Sequence, residues 1–458
     1  MTRQMHTNFK AEIDRIIKNY ENHGMGLLHG LQKDNIQNSW GARRTKKGAE
    51  FAVHIKLIEK DDFNAVIFQD EALGLIGTKY STEDEHEAVN LEDFNERLAN
   101  FETHKNIGIS RDQGTGGFVG QGKLISNIHS QNGKIYYDSL RHSDKEYLIN
   151  SRYISQDQTN IMLDDIKWGK EAENEIQTIS NGHLSKLNES GTRIIIINPT
   201  SKLVKYIKSG NMLDDVQDTW WELLLLDRIK GIFIHDGENE YKAECPEFFK
   251  EAFEENGNKA ILSNHEVAGF GRIKRGIFGF FDEILPEKYN GITIQRAQMP
   301  INQSNELYGS PFNYSIPDSH KGKFYAIVTL EKKLEENIRS LEHETHYTFN
   351  NRPQSGYTLY DRFRDAIKDS GIEELKIIHG LSSSGNDSDI RSRSIANQTK
   401  KDINDLFSEN GVSGVLKKKE KEKFKIVAHN IIGIKEPNLA NDKITFLFKI
   451  KNRTSSPS

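Results

Sequence analysis

Cysteine is almost missing from this chain: among 458 residues there is one, Cys245. A lone thiol excludes an intramolecular disulfide and a zinc site built from several cysteines. Long apolar runs are missing too, and none approaches the length of a membrane-spanning helix. The opening residues, Met1-Thr2-Arg3-Gln4-Met5-His6-Thr7, hold no apolar core of a secretory signal. Nor is there an excess of positive charge, since 62 Lys and Arg against 67 Asp and Glu give a formal net charge of −5. Contact with nucleic acid would therefore need a local basic patch rather than the field of the whole molecule. These absences predict a cytoplasmic protein with no membrane partner. Charged residues at 28% and apolar ones at 35% fit a globular chain. The length predicts two or three domains, each with its own core.

Glycine is ordinary in number, 35 of 458 residues, but it is concentrated at Gly114-Thr115-Gly116-Gly117-Phe118-Val119-Gly120-Gln121-Gly122-Lys123. Glycines permit positive φ and leave no Cβ in the way of a bulky anion. Successive main-chain N–H groups in such a loop form a concave nest. Leu124, Ile125 and Ile128 then follow at helical spacing, so a helix N-terminus and the Lys123 charge favour phosphate there.

Upstream, Phe9, Ile13, Ile16, Ile17 and Tyr20 predict an amphipathic helix. A second helical pattern puts Leu27, Leu31, Asp34, Asn38 and Ala42 on one face. A carboxylate and an amide on that face are unusual, because buried polar groups need partners. Phe51, Val53, Ile55 and Leu57 alternate as a half-buried strand does, and Ala65 to Phe68 form its hairpin partner. The second strand runs into Asp70-Glu71-Ala72-Leu73-Gly74, an aspartate at a strand end before a glycine turn. Residues 83–96 are acidic and suit a lid or a solvated helix. Strands are expected at Lys134 to Tyr137 and Tyr147 to Ile149. A buried one follows from Arg193 to Ile197, with Gly191-Thr192 at its entrance.

In this order, four stretches resemble the boxes of the GHKL (Bergerat-fold) ATPases, a superfamily that includes the gyrase B subunit, MutL, MORC proteins and Hsp-class chaperones. Asp34 to Asn38 resembles the N-box, and Asp70 to Gly74 the Asp-x-Gly-x-Gly box. Gly117 to Lys123 resembles the second glycine box, and Gly191-Thr192 the late Gly-Thr. The resemblance covers roughly residues 1 to 205. It implies an α+β chain whose first domain is an ATP-binding sandwich, a mixed sheet with helices on one face, followed by an α+β transducer-like region.

The same resemblance implies roles. Asp70 would accept the adenine amino hydrogens, with Thr192 sharing a bridging water. Asn38 would offer Mg²⁺ an amide oxygen, the ligand type this hard cation prefers. Asp34 would orient or deprotonate the attacking water. The backbone around Gly117, Val119, Gly120 and Gly122 would cradle the phosphates beside Lys123, and Ala42 and Gly74 would complete the nucleotide wall. Two departures stand out. Position 34 is aspartate where hydrolysing dimeric members carry glutamate, which implies slow turnover or binding alone. Ala72 replaces the first glycine of its box, which requires a negative φ there.

The glycine loop also fits G-x-x-x-x-G-K, the P-loop signature, with Gly231 to Asp236 as a Walker-B-like strand. Leu124 stands where that motif needs Ser or Thr, and the other three boxes go unused. A third alternative is a nucleotide-sensing scaffold that binds without hydrolysing.

The second half predicts a buried helix at Val216 to Ile229 and strands at Gly231 to Asp236, Ile292 to Ile294 and Phe324 to Leu330. A helix carrying Tyr360, Phe363 and Ile367, a loop at Ser382 to Ser388 and closing strands at Phe424 to Ile434 and Ile444 to Ile450 follow. Gln398-Thr399-Lys400 matches the loop by which gyrase-type transducers reach the γ-phosphate, so Lys400 joins the candidate catalytic residues. His343-Glu344-Thr345-His346 falls one residue short of H-E-x-x-H and reads as surface histidines. Glu420 and Glu422 dilute the lysines from Lys417 to Lys425 into a solvated linker. Domains are expected at 1–205, 206–345 and 346–458. ATP and Mg²⁺ would drive a conformational change or homodimer closure, acting on a partner protein or DNA in repair or phage defence. Too little chain precedes Asp34 for the phosphoacceptor helices of a histidine kinase.

Overall fold

The computed structural model describes residues 9–22, 26–42, 51–75, 122–142, 144–154, 161–254, 258–296, 298–302, 306–307, 310–311, 316, 318–339, 357–381, 431–434 and 446–448. The chain divides into two compact units, Met1–Leu381 and Ser382–Ser458.

Two helices, α1 (Phe9–Asn22) and α2 (Leu27–Gly41), precede the hairpin β1 (Ala52–Lys60) and β2 (Phe63–Asp70). Next come α3 (Gly122–Ile128), β3 (Lys134–Leu140), β4 (Tyr147–Ile154), β5 (Ile161–Leu163) and β6 (Lys167–Trp168). Then follow α4 (Gly169–Ile179), β7 (Gly191–Ile197), α5 (Ser201–Lys208), α6 (Asn211–Leu225), β8 (Gly231–His235) and β9 (Glu240–Lys242). These nine strands make one mixed sheet in the order β5-β4-β3-β7-β2-β1-β8-β9, with β6 beside β4. The one parallel pair is β1 with β8; the other pairs are antiparallel. The expected boundary at residue 205 falls inside this layer, because β8 and β9 extend the sheet beyond it.

Alternation along the strands sends side chains to opposite faces. Val53, Ile55, Leu57, Val66, Phe68 and Ile196 enter a core closed by α1, α2, α3, α5 and α6. Phe63, Ala65, Ile67 and Ile195 point the other way, onto Ala172 and Ile176 of α4. The expectation of helices on one face is corrected here. Both sets of alternating residues are apolar, so both faces need cover, and α4 supplies it on the second.

The second layer holds α7 (Glu247–Phe253), β10 (Ala260–Val267), β11 (Gly271–Phe280), β12 (Gly291–Arg296), β13 (Met299–Asn302), β14 (Glu306–Leu307), β15 (Ser310–Pro311) and β16 (Phe324–Leu330). It continues with α8 (Lys332–Arg339), α9 (Tyr357–Ile367), a π-turn (Lys368–Ile372) and α10 (Glu373–Ile378). Five of its strands form a sheet in the order β10-β11-β16-β12-β13, and β14 pairs with β15. One apolar face of the five-stranded sheet packs on α8, α9 and α10, the other on α6 and α7.

Helix α6 joins the layers through adjacent tryptophans. The backbone departs from helical geometry at Trp220 (φ −106°, ψ 17°). Trp220 then lies in the core of the first sheet while Trp221 lies in that of the second, stacked on Phe249 at 4.3 Å. Burying an aromatic side chain of this size contributes about 3 kcal/mol, so two of them on one helix bind the layers firmly. In the second unit, β17 (Ile431–Ile434) and β18 (Phe446–Phe448) pair antiparallel, within the stretches expected to hold closing strands. Among the described residues no helix is long and apolar enough to cross a membrane.

Candidate functional site

Asp70 closes β2, Thr192 is the second residue of β7, and Ser139 is the penultimate residue of β3. Ser139 lies opposite Thr192 in the β3–β7 ladder, and the β2–β7 ladder ends with Gln69 opposite Arg193. Past that pair the Asp70 side chain replaces the backbone as acceptor. Its Oδ1 takes the Thr192 N–H and the Ala72 N–H, each at 3.0 Å. Such an approach demands glycine at 191, where a Cβ would sit 1.9 Å from the Asp70 carbonyl oxygen. Strand alternation puts Asp70, Thr192 and Ser139 in a row on the face that carries α2.

Behind this row, the opposite face is locked by charge. Arg193 donates through Nε to Asp138 Oδ1 at 2.9 Å, through Nη2 to Asp138 Oδ2, and to the Ser185 carbonyl at 2.9 Å. Tyr147 donates to the same carboxylate at 2.5 Å. Burial, then the Asp138 charge, pushes the Tyr147 phenol well above its ordinary range, so it stays a donor. With both charges paired and buried, the start of β7 is held rigidly.

The turn after Asp70 is tied on all sides. Leu73 donates its N–H to the Ala42 carbonyl at 3.1 Å, and its own carbonyl accepts from His142 N at 3.0 Å. Leu75 N donates to Ser139 Oγ at 2.8 Å. Gly74 has φ +77°, and a Cβ there would meet the Leu140 carbonyl at 2.7 Å and Ser139 Oγ at 2.8 Å. Ala72 is fully buried and is not among the residues with positive φ, so its methyl is tolerated where the family pattern has glycine.

Helix α2 meets this turn at its C-terminal end, where Ala42 caps it. It is buried on all sides from Gly30 to Gln37, rather than along one stripe. Two of its buried polar residues are bonded across the core: Gln32 bonds Thr219 and Trp220, and Asn35 bonds the Leu31 carbonyl and Ser126 of α3. Asp34 accepts from Tyr20 Oη at 2.7 Å. That reach depends on Gly30, since a Cβ there would lie 2.4 Å from the Tyr20 ring. Asn38, one turn beyond Asp34, is exposed. Gln37 is buried, and its Nε2 has no hydrogen-bond partner among the described residues.

Asp34, Ala42, Asp70, Gly74 and Thr192 thus lie on segments in direct contact or linked through α2. Gly122 and Lys123 open α3, which packs on α2. Gly117, Val119, Gly120 and Lys400 lie outside the described residues, as do the acidic stretch 83–96, His343 to His346, and the lysines from 417 to 425. Gln37 and Ser139 escaped the sequence reading, and Tyr20 entered it only as a residue of the first helix. Only the neighbours supplied by the fold give them a role.

The sequence matches no protein-family model and no curated protein. Against the P-loop alternative, the first sheet has a single parallel pair, whereas that fold is built on a parallel sheet. Asp236 accepts the Glu238 and Asn239 amide hydrogens at 2.9 and 2.8 Å, the work of a turn residue. Among the described residues, no three His, Cys, Asp or Glu side chains cluster as a metal site would require.

Proposed function

We propose that this chain binds ATP with Mg²⁺ as a Bergerat-type nucleotide-binding protein and hydrolyses it slowly. The observation that carries the proposal is the Asp70–Thr192 junction, tied through Leu73 to the end of α2. A carboxylate at a strand end, rigidly held beside a half-buried hydroxyl, suits the amino edge of adenine. Asn38 has the oxygen donor and the exposure to hold Mg²⁺, and the ion's chemistry there is neutralisation of phosphate charge. Asp34, kept in place by Tyr20, orients the attacking water and takes its proton. Gly122 and Lys123 at the α3 N-terminus face the phosphates with backbone N–H groups.

Because α2 also bonds α6, which packs against the second sheet, nucleotide binding would reposition that layer, close a homodimer, and present a surface to a partner protein or DNA. A setting in DNA repair or phage defence follows from fold-level analogy. Calorimetry with ATP and Mg²⁺ tests the core of the proposal. Wild type should bind, Asp70→Asn should not, and Asp34→Ala should bind without turnover. Binding with no turnover in wild type would select the nucleotide-sensing scaffold instead. No binding by wild type would end the proposal.

A further inference from the structure

We propose that the cleft between α5 and the Asn64 end of β2 binds a small organic phosphate ester. The cleft lies away from the Asp70–Thr192 junction and does not depend on the ATP reading. Asn64 is the second residue of β2 and Asp70 its last, about 20 Å apart at the rise of a strand. Pro199 follows the end of β7, whereas Thr192 is near its start. The two strands run antiparallel, so Asn64 and Pro199 meet at the same end of the sheet. There the cleft opens, with a volume of about 550 Å³, the size of many small-molecule sites.

Spacing along the chain builds its helical wall. Ser201, Val204, Lys205 and Lys208 recur at i, i+3, i+4 and i+7, so they share one face of α5. The opposite face is anchored in the core by Leu203, Tyr206 and Ile207. Lys208 Nζ is held 2.5 Å from Glu59 Oε2. Lys205, one turn before it, makes no ion pair among the described residues, so its charge is uncompensated. On the sheet side, two acceptors are withdrawn from the cleft. Gln131 Nε2 donates to the Pro199 carbonyl at 3.0 Å, which engages that oxygen. Asn64 is half-buried, and its Oδ1 is the buried end, with no partner among the described residues. Its Nδ2 is therefore the end that a ligand reaches. A lysine, the Ser201 hydroxyl and an amide N–H around one space suit an anion with several acceptor oxygens, and a phosphate group has three. Pro199 and Val204 add apolar surface, so an ester with a hydrocarbon part fits better than phosphate alone.

The test is calorimetric titration of the full chain, without ATP, by phenyl phosphate, inorganic phosphate and benzoate. Phenyl phosphate should bind, and more weakly as salt rises. Inorganic phosphate should bind about tenfold more weakly for want of the apolar contact. Lys205→Glu, at an exposed position off the core, should lower the affinity for phenyl phosphate at least about tenfold. Glu59→Gln frees Lys208 from its carboxylate and should tighten binding, which loss of a merely structural ion pair would not do. Absence of saturable binding by wild type overturns the proposal, as does an affinity in Lys205→Glu equal to that of wild type. Benzoate binding as tightly as phenyl phosphate would show that the cleft reads one charge and a ring, and overturns the phosphate assignment. Because no titration contains ATP, failure of the ATP reading leaves each of these outcomes as it stands.

Discussion

Asp70 and Thr192, 122 residues apart in the chain, share a hydrogen bond of 3.0 Å that continues a β-ladder after its backbone pairing has stopped. A side chain standing in for a main-chain carbonyl ends the backbone ladder there, with Asp70, Thr192 and Ser139 in a row on one face of the sheet. Gly191 is the condition for this arrangement.

Gly191→Ala is therefore expected to be severe. The new methyl would have to displace the Asp70 backbone, since the nearest atom is a main-chain oxygen and not a flexible side chain. A cost of about 3 kcal/mol is expected, with loss of ATP binding. Urea unfolding and calorimetry would measure the two effects. Wild-type stability in this variant would mean that the contact between β2 and β7 is looser than described.

Tyr20→Phe removes a donor from the Asp34 carboxylate while keeping the ring over Gly30. A hydrogen bond to the charged form stabilises that form, so its loss raises the proton affinity of Asp34. The acid limb of the turnover profile should move to higher pH, with stability reduced by about 1–3 kcal/mol. An unmoved acid limb in ATPase assays across pH would show that Asp34 is not the titrating base.

Gln37→Met replaces a buried amide, whose Nε2 has no partner among the described residues, with an apolar chain of similar length. Removing an orphaned donor should stabilise the free protein by about 1 kcal/mol. A site residue retained at the expense of stability would show the opposite trend in ligand binding. Thermal melting with and without ATP and Mg²⁺ would reveal a higher melting point in the free variant and a smaller shift on adding nucleotide. A lower melting point in the free variant would instead make Gln37 part of the core.

Why were Asp70 and Thr192 legible in the sequence while Ser139 was not? Both lie at the ends of apolar alternating stretches, next to glycines that signal a turn or a close approach. Ser139 sits mid-chain between Asp138 and Leu140, and its role exists only in the register that pairs it with Thr192. For α2, the helical pattern was visible, but its one-sided reading was not correct. Gln32, Lys33 and Gln37 are buried along with Leu31, because α1, α3 and α6 surround the helix. The strand at Gly231 to His235 could be read from its apolar run. Its parallel pairing with β1 spans too much chain for any local pattern to carry.

His129 gives a pH dependence that involves no ligand. Burial, and then the nearby Lys202 charge, brings its imidazole from 6.5 down to about 4, against a hydrogen bond with the Leu27 backbone that favours the charged form. Its Nε2 has no partner among the described residues, so a proton there would be a buried charge without compensation from them. The unfolded chain takes up that proton near 6.5, while the folded chain resists until about 4. The stability linked to His129 is thus intact above pH 6.5 and drains away as pH falls through that window. At pH 5 the loss amounts to about 2 kcal/mol. His129→Gln cannot titrate, so its urea midpoint should fall less than that of wild type between pH 7.5 and pH 5. Parallel declines in the two proteins would mean that His129 is solvated in the folded state, contrary to its packing at the end of α3.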